Sequence, residues 1–170
     1  MNNEVQNYAD ATAMQIEQGE SVSPVALQDQ VIFEFDKGLP AFENSRRFIF
    51  ILDEKVAPFV VMQAVDDASL SFVCVDPFTV KEHFEIKISE AVEERMDIQD
   101  NAEILILSFV TVSPEMTETT ANLLGPIVLN MRNNKASQVI QDHLDPSLVR
   151  YNIWQGLEAM DKDNTLSQVS

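Results

Sequence analysis

The side chains best equipped for chemistry in this 170-residue chain are a set of aspartates, two histidines and one cysteine. Asp66 adjoins Asp67, and Asp76 stands before Pro77. Two carboxylates converging in a cleft, one with a raised and one with an ordinary pKa, carry out hydrolytic acid/base chemistry. A small acidic hydrolase is therefore one reading of these three residues. The other is turn formation, because an aspartate bonds readily to backbone two residues on. With 28 acidic side chains in the chain, adjacency selects no pair, and turn formation is the cheaper account. His83 and His143 belong to no Cys/His constellation of the spacing that zinc requires. They read as a surface residue before a strand and a residue at a helix start. Cys74 is the single cysteine, so no intramolecular disulfide forms, and within Ser71-Phe72-Val73-Cys74-Val75 it reads as a small buried hydrophobe. Four scattered glycines supply no phosphate-cradling loop. No catalytic residue, metal or cofactor is assigned, and the expectation is a binding module rather than an enzyme.

The elements that hold these groups are mostly strands. Val31-Ile32-Phe33-Glu34-Phe35 and residues 47–52, 59–65 and 70–75 are rich in β-branched and aromatic side chains, each bounded by turn residues. Residues 83–89 alternate, with Phe84, Ile86 and Ile88 on one side and Glu85 and Lys87 on the other, as a half-exposed strand does. Residues 104–112 are apolar except for Ser108 and Thr111, and 127–131 continue the theme. Unbroken runs of this kind indicate strands covered on both faces or enclosed in a barrel. Met14 and Ile16, followed by Gly19, suit a first edge strand and turn.

Two helices are expected. Ser89 caps a short one through Met96, with Val92 and Met96 inward. Asp145 and Pro146 open a second over residues 145–160, whose Ile153, Trp154, Leu157 and Met160 either cap the barrel or present a face to a partner, with Gly156 weakening its far end. The fold class is mostly β: a small antiparallel, barrel-like single domain with one or two short helices. The chain divides into a flexible acidic leader over 1–12, the barrel over 13–144, the helix over 145–160 and a flexible tail over 161–170.

The formal charge of −17 opposes direct binding to nucleic acid or to an anionic membrane, since both rest on Lys and Arg. It suits a basic protein partner approached by electrostatic steering, although acidity also serves solubility alone. The first 36 residues hold seven acidic side chains and no Lys or Arg. No basic apolar leader and no uninterrupted apolar stretch of about 18 residues occurs, so the expected location is the cytoplasm.

Five ordered blocks then carry a resemblance. Phe35-Asp36-Lys37-Gly38-Leu39-Pro40-Ala41-Phe42-Glu43 resembles the signature of the flagellar assembly factor FliW family, a Phe, two residues, then Gly-Leu-Pro-Gly-Phe-Glu. Phe59 and Gln63 precede the Asp66-Asp67 turn, and Leu70 and Phe72 follow it. Val75-Asp76-Pro77-Phe78 is similar to the family's Asn-Pro-Phe turn, with Asp76 in place of Asn. The long strand ends in Val110-Thr111-Val112. Ala121-Asn122-Leu123-Leu124-Gly125-Pro126-Ile127-Val128-Leu129-Asn130 resembles Thr-Ala-Asn-Leu-Leu-Ala-Pro-Ile-Val-Ile-Asn, after the inserted Glu118-Thr119, and Gln138-Val139-Ile140 follows. Ala41 stands where glycine is usual, from which no positive φ is expected there. Gly38 gives a turn its freedom, Leu39 before Pro40 is pushed to extended geometry, Phe42 re-enters the core, and Asn122 and Asn130 bond loop backbones.

The resemblance implies a non-enzymatic regulator. Family members bind the translational repressor CsrA and newly made flagellin, so that partner switching couples flagellin synthesis to assembly. Binding to CsrA relieves repression of flagellin mRNA. A flagellin chaperone without CsrA antagonism is the alternative. Phe35, Gly38, Leu39, Pro40, Phe42, Gln63, Asp76, Pro77, Phe78, Asn122, Pro126, Asn130 and Gln138 are the motif residues this carries to the chain, as barrel-defining or partner-binding positions.

Overall fold

The computed structural model describes residues 14–28 and 30–169; the leader expected over residues 1–12 lies outside them. Among the described residues eleven strands form: β1 (Met14–Ile16), β2 (Phe33–Phe35), β3 (Arg47–Leu52), β4 (Val60–Ala64), β5 (Ser71–Val75), β6 (Ile86–Ile88), β7 (Ile104–Thr111), β8 (Thr120–Ala121), β9 (Ile127–Asn130), β10 (Lys135–Gln138) and β11 (Tyr151–Asn152). Seven of them close a barrel in the order β7-β5-β4-β3-β2-β10-β9, with β9 returning to β7. The pairs are antiparallel except one. β10 runs parallel to β2, with Lys135 opposite Glu34 and Ala136 opposite Phe35. β8 and β11 extend the sheet beyond β7, while β1 and β6 form a separate ribbon.

Alternation along each strand fills the barrel. Phe33 and Phe35 meet Phe50 and Phe48 edge-on, at ring separations of 5.5 and 5.4 Å. Met62, Cys74, Leu105 and Leu129 complete the same interior. β7 explains its own composition: Leu105 and Leu107 point into the barrel, and Ile104 and Ile106 enter a second core outside it. Both faces are therefore dry from Ile104 to Leu107, and an apolar side chain is needed at each of these four positions. The second core gathers Phe78, Phe84, Ile86, Ile88, Met96 and Ile153 against the outside of the barrel.

Three helices cover that second core. α1 (Pro77–Val80) is a single turn capped by Asp76, where the sequence pattern indicated only a bend. α2 (Glu90–Met96) begins as expected, with Ser89 Oγ accepting from the Val92 amide, and ends at Asp97 in the left-handed region. The helix expected over residues 145–160 is broken. Asp145 caps a 3₁₀ turn, Pro146–Arg150, then β11 intervenes, and only then does α3 (Trp154–Val169) form. The cause is the open edge of β8, which takes Tyr151 and Asn152 as partners for Ala121 and Thr120. Asn152 Oδ1 then accepts from the Trp154 amide at 3.0 Å and restarts the helix. α3 also continues through residues 161–169, which the sequence reading treated as a flexible tail. Ile153 and Leu157 are buried in the second core, so this region caps the barrel. Gly156 is the contact point rather than a weak end: a Cβ there would lie 2.6 Å from Val80 Cα.

Candidate functional site

The carboxylates singled out for acid/base work are held apart. Asp66 sits in the β4–β5 turn, pairing with Arg47 at 2.6 Å. Asp67 Oδ1 accepts from the Ser69 hydroxyl and amide at 2.6 and 3.0 Å, which lowers its pKa. Asp76 stands at the far end of β5, five strand residues away, or about 17 Å at about 3.3 Å per residue. The proposed acid/base pair therefore does not form: each aspartate is a turn or cap residue. Asp76 retains one unusual property. Burial raises its carboxyl from an ordinary 3.8 to about 6, against the opposing effect of its hydrogen bond from the Phe78 amide. Cys74 is fully buried and its thiol is pushed upward by that burial. Among the described residues, no three His, Cys, Asp or Glu side chains gather as a metal site requires. None of their helices is long and apolar enough to cross a membrane.

The motif residues form a frame. Gly38 adopts φ +67, and a Cβ there would stand 2.8 Å from Glu43 Cα, so the loop closes only around glycine. Leu39 is buried in the barrel interior beside Phe35, while Pro40 is exposed. Two expectations for this loop are corrected. Ala41 does take a positive φ, +69, because the chain reverses between Leu39 and Phe42, which bridge each other. Glu43 Oε1 accepts from the Ala41 amide at 3.1 Å and holds the conformation. Phe42 does not re-enter the core: it is 40% exposed and leans edge-on against Phe72 at 5.3 Å.

The polar motif residues each bind backbone. Gln63 Nε2 donates within its own hairpin to the carbonyls of Ala64, Asp67 and Leu70. Asn122 Oδ1 accepts from the Leu124 and Gly125 amides, and Gln138 Nε2 donates to the Gly125 carbonyl at 2.9 Å. Pro126 is buried, and its carbonyl accepts from the Val139 amide. Asn130, fully buried, donates to the carbonyls of Met96 and Asp97 and so ties β9 to the end of α2. Asp76, Pro77 and Phe78 build α1, with Phe78 in the second core.

Two of the blocks meet at an open groove of about 730 Å³. Gly38 and Pro40 form one wall and Gln138 and Ile140 another, with Lys37, Lys87, Arg95 and His143 around them. Arg95 Nε lies 3.1 Å from Asp36. Glu43 and Asp142 line the same groove, so its charge is mixed. Sequence reasoning did not find Lys87, Arg95 or Ile140, because only the closure of β10 on β2 and the crossing of β6 bring them to the motif loop. It also missed Gln141, whose buried side chain accepts from the Lys87 amide at 2.7 Å and donates to the Lys87 carbonyl at 2.9 Å, acting as an extra strand partner for β6.

These features define a small closed β-barrel with a helix-covered outer core and open surface clefts. The chain belongs to the FliW family, whose profile, described as FliW protein, matches residues 17–153. The flagellar assembly factor FliW of Treponema pallidum (strain Nichols) is 37% identical over 108 residues, 64% of this chain and 71% of that one. That of Thermoanaerobacter pseudethanolicus is 35% identical over 131 residues, 76% of this chain and 86% of that one. A crystal structure of the flagellar assembly factor FliW superposes with a TM-score of 0.65 at 26% identity, covering 78% of this chain and 92% of that one.

Proposed function

We propose that this flagellar assembly factor is a non-enzymatic cytoplasmic regulator that binds the repressor CsrA, relieves its repression of flagellin mRNA, and binds flagellin as a chaperone. The observation that carries this reading is the assembly of the family's sequence blocks into one frame on a chain of charge −17. CsrA binds RNA and is therefore cationic, so an acidic protein docked beside its RNA surface weakens RNA binding by like-charge repulsion and by reshaping that surface. Flagellin is assigned to the groove beside Gly38 and Gln138, whose lining mixes Lys37, Lys87 and Arg95 with Glu43 and Asp142 and so carries no acidic excess to attract a strongly cationic protein. Gly38, Pro40 and Gln138 are the motif residues that line it.

Separate titrations with purified CsrA and flagellin test the reading, followed by CsrA–RNA binding at increasing salt. Complexes with both proteins are expected, and antagonism that weakens as salt rises. Flagellin binding without CsrA binding identifies instead a chaperone that lacks antagonism, a reading favoured by the acidic leader and all of α3 lying outside the family match at 17–153.

A further inference from the structure

A second cleft, of about 300 Å³, opens where the end of β3, the β3–β4 loop, α1 and α3 meet. Its walls are apolar: Val25, Leu52, Pro58, Phe59 and Met160 line it. Its rim is acidic, from Asp53, Glu54 and Asp76, and among the described residues no Lys, Arg or His lines it. Val25 projects from the 3₁₀ turn Pro24–Ala26 and is 80% exposed. Ile51 and Val56, neighbours in sequence of the lining residues Leu52 and Ala57, are also exposed. An exposed aliphatic side chain, Val25, lining an otherwise apolar-walled cleft makes a docking surface rather than scattered surface apolarity.

The rim fixes the chemistry of the occupant. Asp76 is mostly buried, and only one of its carboxylate oxygens, Oδ1, accepts from the Phe78 amide. A purely apolar occupant would bury that carboxylate further without a partner for it, at a cost of several kcal/mol for an uncompensated charge. An acidic occupant would be repelled by three carboxylates. An occupant that places an aliphatic side chain in the cleft and a Lys or Arg at the rim satisfies both surfaces. We infer that this cleft is the docking site for a cationic amphipathic segment of a protein partner. The inference rests on the proposed binding of a basic partner and assigns that partner here, away from the mixed-charge groove at Gly38 and Gln138.

Binding of purified CsrA to the full chain by calorimetry tests this with two exposed substitutions. Glu54→Lys reverses the rim charge, and Val25→Lys removes an apolar anchor. Each is expected to weaken CsrA binding by about tenfold or more, with thermal melting unchanged from the parent chain. Val112→Glu, at an exposed position that lines neither cleft, is expected to leave CsrA affinity within about twofold. A photo-crosslinking side chain at position 25 is expected to capture CsrA at a Lys- or Arg-containing segment. If both substituted chains bind CsrA as tightly as the parent, or position 25 captures nothing while the complex forms, the cleft assignment is wrong and the functional reading stands. If the parent chain itself does not bind CsrA, the functional reading fails and takes this assignment with it.

Discussion

Replacing Asp76 by Asn changes one charge at a buried helix cap and restores the residue that the family's Asn-Pro-Phe turn carries. Asp76 is held mostly out of water, with its Oδ1 accepting from the Phe78 amide at 2.9 Å. Its carboxyl rises from 3.8 to about 6 because burial disfavours the charged form. When unfolded, the group ionises near 3.8; when folded, near 6. Below the lower value both states are protonated and the residue contributes no pH dependence. As pH rises between the two values, the unfolded chain releases its proton first and stability falls, levelling off above about 6. At about 1.4 kcal/mol per pH unit, the full loss is about 3 kcal/mol. Asparagine keeps the capping oxygen and has no charge to desolvate. Urea unfolding of Asp76→Asn is expected to show a gain of about 2 kcal/mol near pH 7.5 that fades as pH approaches about 4. A substituted chain less stable than its parent at pH 7.5, or a gain that does not vary with pH, refutes the burial argument.

Three further substitutions probe the frame. Gly38→Ala places a Cβ 2.8 Å from Glu43 Cα at a positive φ and is expected to cost about 2–4 kcal/mol by denaturant unfolding; a change within about 0.5 kcal/mol would show that the loop relaxes freely. Asn130→Ala removes one donor from the carbonyls of Met96 and Asp97, which keep Asn133 and Arg132 as donors, an expected loss of about 1–2 kcal/mol, accompanied by faster amide exchange in α2. Truncation after Arg150 removes Ile153 and Leu157 from the second core and is expected to cost at least about 3 kcal/mol; an unchanged melting temperature would mean that α3 is dispensable to the fold.

Much of the barrel was legible because local composition and tertiary environment agree. The run at 104–112 reads as a doubly covered strand, and Ile104 to Leu107 do face two cores. Ser89 and the spacing of Val92 and Met96 mark α2 for the same reason. Features set by long-range pairing were not legible. Nothing local at Tyr151 and Asn152 announces that β8 has a vacant edge, and nothing near Lys135 announces a parallel partner at Glu34. Ala41 shows the limit of residue preference: the turn between Leu39 and Phe42 requires a left-handed residue, and the bond to Glu43 sustains it without glycine. The motif blocks were found as sequence, but the groove was not, since Lys87 and Arg95 reach it only through the fold. Asp76 was visible as a turn residue, whereas its burial depends on the neighbouring β3–β4 loop and α3.

The proposed action on CsrA is tested by CsrA–RNA binding measured at fixed CsrA with increasing amounts of the purified chain. RNA is expected to be released as a stoichiometric complex of the two proteins forms, and added flagellin is expected to restore RNA binding. Undiminished RNA binding in the presence of excess chain would contradict it.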